Sequence, residues 1–342
     1  MSHHPAAHRG NDAEHELDKA PLSLRVGNKI ATEAFILTRP CAAAGKRCAP
    51  CRMTAPTKSR RPSQVSTKEP QNPSAATEPA EGNEKLATDA DRIADTKESL
   101  WEALNKYHGS TKNAEVIAII EELSALNPTP QPARSPLMLG DWKDLSAPHF
   151  PNRIAPDEGE EGVYKYTLGR ISFNLFEPKK LVCTLDSVRN PIERIPNEEG
   201  EKGQDDEKMS YPLVISLIVH TAEGDLRAIM RNEGVVTPAT DDRASVVFSS
   251  GALSPAPEVV ADAEKMTLWR KTFENAYARA DAERSYLARA GRYIFFSLLG
   301  LVAPTDAKDS FRFEMKRAPR GYLDVLFLDE HMRITKGNSG SY

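Results

Sequence analysis

Signatures of catalysis are missing from this chain. It holds no Gly-x-Ser-x-Gly elbow, no Gly-x-x-x-x-Gly-Lys-Ser/Thr loop, no Gly-x-Gly-x-x-Gly after a strand and no His-Glu-x-x-His helix. Of the 8 histidines, His108, His149, His220 and His331 alone lie beyond the N-terminal region, far apart in sequence. Nothing therefore argues for an enzyme, and no cofactor is called for. Cysteine is scarce as well. Cys48-Ala-Pro-Cys51 has redox or zinc-ligand spacing, but only Cys41 is nearby and no regular structure is expected to orient a tetrahedron. Cys183 reads as a small apolar filler of a strand. Long hydrophobic runs are absent too: Tyr293 to Val302 is too short to span a bilayer. It reads as a helix buried against the fold, the alternative being a segment that dips into a lipid surface.

Acidic residues are nearly missing from one stretch. Between Lys19 and Lys68 eleven basic residues face the single acid Glu33, in a background of Ala, Ser, Thr and Pro. That composition is expected of an organelle transit peptide, and residues 1–83 read as a disordered basic leader. The first eighteen residues fit that reading badly, because Asp12, Glu14, Glu16 and Asp18 are acidic. The whole chain carries −4 and the basic stretch +10, so the remainder carries −14. Such an acidic remainder excludes nucleic acid as an expected partner and disfavours strongly anionic surfaces unless cations cluster locally.

Beyond Glu84 the periodicity becomes informative. Ile93, Leu100, Trp101, Leu104 and Tyr107 share a helical face, as do Val116, Ile117, Ile120, Leu123 and Leu126. Gly109-Ser-Thr joins them, and Pro128, Pro130 and Pro132 stop the second helix, so 84–135 reads as a helical hairpin. From residue 136 to 342 strands follow. They are expected at Trp142, at Tyr164 to Leu168 continuing out of phase through Leu175, at Leu181 to Leu185, at Leu213 to Val219, at Leu226 to Arg231, at Ser245 to Phe248 and at Phe311 to Met315. A final hairpin comes from Leu323 to Phe327 and Met332 to Thr335. About nine strands is near the number that closes a small barrel. Two insertions interrupt them: an acidic loop, Asn190 to Ser210, and a helix-favouring segment at about 259–303.

The final hairpin carries an ordered set of residues: Tyr322-Leu-Asp, three apolar residues, Leu328-Asp-Glu, then Arg333-Ile-x-x-Gly-Asn338. Upstream stand a helix ending in Asn127-Pro-Thr-Pro130 and then the segment from Leu137 to Trp142 and Lys143. In this order the three segments resemble the plastid lipid-associated proteins, also called fibrillins or plastoglobulins. Tyr107-His-Gly-Ser-Thr-Lys112 stands where that family has Thr-Asn-Arg-Gly. The resemblance implies a lipocalin-like antiparallel β-barrel that binds a fatty acid, prenylquinone or carotenoid, peripheral to the plastoglobule or thylakoid membrane of a chloroplast. The alternative is a scaffold that packs its barrel solid and binds thylakoid membranes or photosynthetic complexes.

Within such a barrel Trp142, Tyr164, Tyr166, Phe173 and Tyr322 are aromatic strand residues able to line a cavity or to pack a core. Arg170, Asp324 and Arg333 are charges on otherwise apolar strands, so they point outward or are paired inside. An inward pair of Asp324 and Arg333 would pin the last hairpin. Alternatively, an arginine grips a lipid carboxylate or quinone oxygen.

Overall fold

The computed structural model of the 342-residue chain describes residues 36–39, 81–159, 161–196, 208–307, 309–338, 340 and 342. Cys41, Cys48 and Cys51 and the acidic residues of 197–207 lie outside the described residues. Twelve strands are described: β1 Ile36–Thr38, β2 Gly140–Asp144, β3 Tyr164–Thr167, β4 Val182–Ile192, β5 Met209–Ser210, β6 Leu213–Thr221, β7 Gly224–Pro238, β8 Arg243–Pro255, β9 Leu301–Ala307, β10 Ser310–Met315, β11 Arg320–Leu328 and β12 Met332–Gly337. Helices α1 (Glu81–Lys106) and α2 (Ala114–Ala125) precede β2, and α3 (Leu168–Ile171) follows β3. Four more, α4 (Pro257–Val260), α5 (Ala263–Phe273), α6 (Ala276–Glu283) and α7 (Tyr286–Leu299), lie between β8 and β9.

All the pairings are antiparallel, and eight strands close a ring of hydrogen bonds: β7, β6, β4, β2, β1, β12, β11, β8 and back to β7. Strict alternation drives it. In β6, Leu213, Ile215, Leu217 and Val219 are buried while the residues between them are partly exposed, the signature of a strand with one face on a core. Register shifts at Leu185/Ser187, Glu233/Gly234 and Val325/Phe327 bend the strands around the ring. The last also turns Phe327 outward while Leu328 stays inside.

The helical hairpin covers the outside of the ring. Leu100, Leu104, Val116, Ile120 and Leu123 pack against Ile36, Phe327, Met332 and Ile334. Asn113 caps α2 by accepting from the Glu115 backbone N–H at 2.8 Å. Strand β12 is thereby buried on both faces. Trp101, expected on the packed face, is 49% exposed, because the packed stripe runs through Leu100, Ala103 and Leu104.

Three sequence expectations are corrected. Residues 36–39, inside the segment read as a disordered leader, form a strand and its exit. Ile36 and Leu37 are wholly buried, and β1 is the only link between β12 and β2 among the described residues. The apolar alternation through Ile171, Phe173 and Leu175 is not a strand but a helical turn: α3 is followed by Phe173 and Asn174 at φ 51° and 63°. Finally, α7 is not buried on the ring. Its approach to the body is through Arg292, Phe296 and Leu299, and none of its residues is buried.

Candidate functional site

Trp142 and Arg333 meet inside the ring. On β2 the inward positions are Trp142 and Asp144, and on β12 Arg333 is inward because Met332 and Ile334 face the helices. Leu37 of β1 pairs with Arg333 on one side and Asp144 on the other. Directly paired residues share a face, so an arginine, a leucine and an aspartate form one inward row. Strand spacing separates the outer two backbones by about 10 Å. Arg333 is fully buried, its guanidinium 5.1 Å from the Trp142 ring centroid and 5.8 Å from that of Tyr211. Its Nη2 donates to Asn190 Oδ1 at 2.6 Å, and Asn190, itself fully buried, donates to the Pro212 carbonyl at 2.8 Å.

A second arginine attends the same tryptophan. Arg39 lies 4.7 Å from the Trp142 ring and donates through Nη2 to the carbonyls of Leu137 and Leu139, each at 2.5 Å. Gly140 makes room for it: a Cβ there would stand 2.9 Å from Arg39 Nε, and the residue has φ 134°. Trp142 Nε1 donates to the Met138 carbonyl at 2.9 Å, which fixes the indole.

The electrostatics are one-sided. Burial pushes the Asp144 carboxyl up to about 8, against the opposing hydrogen bonds to its Oδ1 from Ser146 N and Oγ, both 2.8 Å. At neutral pH it is mainly protonated. Burial also raises the Tyr211 phenol, which stays a donor, and draws Arg333 down to about 10, still a cation at neutral pH. The buried side-chain atoms with no hydrogen-bond partner among the described residues are Arg39 Nε, Arg333 Nε and Nη1, Tyr211 Oη and Asp144 Oδ2. With Asp144 protonated, all five can donate. They belong to four residues gathered around Trp142, two of them cationic.

The other residues singled out in the sequence lie elsewhere. Tyr166 is buried, donates to the Pro148 carbonyl at 2.8 Å and meets Phe150 edge-on at 5.6 Å; Phe173 is half-buried, 6.4 Å from the same ring. Tyr164 hydrogen-bonds the His108 carbonyl and lines an outer cleft of about 280 Å³ shared with Trp101, Leu104 and Ala147. Arg170 is exposed on α3. Asp324 does not pair with Arg333. It faces outward and takes a bidentate bond from Arg243, 2.5 and 2.9 Å, while Arg243 lies over Tyr322 at 4.3 Å. The reason is parity: Leu323 and Val325 are the inward residues of β11, so their neighbours Tyr322 and Asp324 cannot be.

Four members of the cluster, Arg39, Asp144, Asn190 and Tyr211, were not singled out in the sequence. Asp144 had a readable signal, two residues from Trp142 on the same strand face. Arg39 was hidden by its basic surroundings, Asn190 and Tyr211 by the acidic interval they border. Cys183 is buried in the ring, and burial drives its thiol up to about 12. Comparison with protein-family models, with curated proteins and with solved structures returned no match to this chain.

Proposed function

We propose that the ring is a lipocalin-like barrel that binds, without catalysis, a hydrophobic lipid or metabolite bearing an oxygen-rich head, with Arg333 as its anchor. The observation that carries this reading is the set of five unpartnered buried polar atoms around Arg333 and Trp142, four of them N–H or O–H donors of Arg39, Arg333 and Tyr211. A buried polar atom left unpaired costs about 1–3 kcal/mol. Five such costs rival the net stability of an ordinary domain, about 5–15 kcal/mol. A carboxylate or quinone oxygen would accept from Arg333 Nε or from Nη1, which point to different sides of the guanidinium, with charge assistance, and the inward apolar side chains of the ring suit a hydrocarbon tail. This chemistry favours a fatty acid or prenylquinone over a carotenoid hydrocarbon. The family-like order of motifs adds a chloroplast setting, peripheral to plastoglobules or thylakoids. A transit segment in this setting ends before Ile36, since Ile36 to Arg39 belong to the fold.

Displacement of a fluorescent fatty acid from the full chain, beside native mass spectrometry for a co-purified lipid, tests the proposal. Saturable single-site binding is expected for the natural sequence, with at least a tenfold loss, about 1.4 kcal/mol, in Arg333→Met at an unreduced thermal midpoint. Equal binding by both would remove Arg333 as the anchor. No binding by the folded natural chain would leave the packed ring as a scaffold for thylakoid membranes or photosynthetic complexes.

A further inference from the structure

Helix α7 turns its apolar side away from the protein. Tyr286, Leu287, Tyr293, Ile294, Phe295 and Leu298 are 39% to 84% exposed, and with Ala288, Ala290, Gly291 and Ser297 they occupy a continuous arc of more than half the helix circumference. No charged residue falls in that arc. The charges of α7, Arg289 and Arg292, lie on the other side with Phe296 and Leu299: Arg292 pairs with Asp281 at 2.6 Å and Arg289 donates to the Ala282 carbonyl at 3.3 Å. A helix that packs on a fold for its own stability shows the reverse arrangement, apolar inward and charged outward. The exposed apolar surface is also concentrated: among the described residues, six of the ten large apolar side chains that stand exposed belong to these fourteen residues.

The surroundings say what the face meets. The helix stops at Gly300, which takes φ 57° and brings the turn Lys316–Arg317 against it; the N–H groups of Lys316 and Arg317 donate to the carbonyls of Gly300 and Leu299. Lys316, Arg317 and the nearby Arg320 are exposed and have no ion pair among the described residues, and Glu314 is the single acid from 314 to 320. Uncompensated cations thus stand at one end of an apolar helix in a protein whose charge is otherwise acidic. Two tyrosines, Tyr286 and Tyr293, about two turns apart on one face, add side chains with an apolar body and a polar tip, the type that gathers at membrane interfaces. No helix among the described residues is long and apolar enough to cross a membrane, whereas an in-plane amphipathic helix needs only to sink one face to the depth of the acyl boundary.

We propose that α7 is a lipid-surface docking element: its Tyr286–Leu298 arc inserts into the interfacial layer of a membrane, and Lys316, Arg317 and Arg320 contact anionic headgroups. The interior site and this surface are independent features, so either can fail alone. Flotation of the full chain with vesicles of phosphatidylcholine, and with vesicles of equal phosphatidylcholine and phosphatidylglycerol, is the test. The natural chain is expected to float with both, more strongly with the anionic vesicles. The triple variant Tyr293→Ser, Ile294→Ser, Leu298→Ser should lose at least about tenfold in partitioning while retaining fatty-acid displacement and thermal midpoint. Lys316→Glu with Arg317→Glu should abolish the preference for phosphatidylglycerol. Unchanged flotation of the triple variant overturns the proposal. So does a natural chain that stays with neither vesicle, including one that forms a dimer dissociated by the triple variant, since the face would then be covered by a second copy.

Discussion

The strand β1 with Arg39 and the helix α7 reverse the places that composition assigns them. The first is a short piece of a basic, proline-punctuated stretch, and its side chains Ile36 and Leu37 are wholly buried. The second holds the charge-free run Tyr293 to Leu299, and none of its residues is fully buried. Hydropathy along a segment therefore does not decide where that segment goes. A strand edge awaiting a partner rewards even three residues that offer backbone donors and acceptors and two branched side chains. Between β2 and β12 there is such an opening, and β1 fills it with antiparallel pairing on both sides. An apolar helix, by contrast, is buried only where the fold leaves an uncovered face to receive it.

Removing residues 1–83 should break this comparison most severely. A fragment starting at Glu84 loses the pairing on both sides of β1, two buried side chains worth about 1.5–3 kcal/mol each, and Arg39. Its thermal midpoint should fall by roughly 5 °C or more relative to a fragment starting at Ala31. Equal midpoints would mean that the ring does not need its closing strand.

Asp144 sharpens the comparison on the interior side. Its folded-state pKa of about 8 lies above the ordinary 3.8, so between those values the folded form holds a proton that the unfolded chain releases. Its contribution to stability is accordingly full below about pH 4 and is lost progressively as the pH rises through 8. Asp144→Asn should therefore be more stable than the natural chain at pH 8, by on the order of a few kcal/mol, with little difference at pH 4. Denaturant midpoints at the two pH values measure this, and parallel curves would contradict a protonated Asp144. The smallest effect is expected on α7, where Leu287→Ser should change folding stability by less than about 0.5 kcal/mol. A larger loss in the thermal midpoint would show that the helix face is covered after all.

Much of the fold was legible. Period-2 alternation placed β3, β10 and the final hairpin, because half-buried strands must alternate; short apolar runs marked β6 and β8, and the motif around Trp142 marked β2. The 3.6 period together with the proline triplet marked both helices of the hairpin. Less of the site was legible. Trp142 and Arg333 were named and do meet, but Arg333 lies inward without Asp324, whose neighbours Leu323 and Val325 take the inner face of β11. Arg170 and Phe173 were placed on a strand where the chain instead makes a helical turn: alternation over so few residues does not distinguish a strand from a turn with two positive φ angles.

By itself, then, the sequence determined the local states: which stretches alternate, which are helical, where prolines stop them and which charges sit on apolar strands. Each depends on neighbours within a few positions, and a linear pattern records those. Tertiary structure alone decided that Arg39 reaches Trp142 from 103 residues away, that Asp144, Asn190 and Tyr211 surround Arg333, and that α7 is left uncovered. These outcomes depend on which strand edges meet when the ring closes and on how much apolar surface the closed ring leaves to be covered. Both are sums over the whole chain, which no single segment carries.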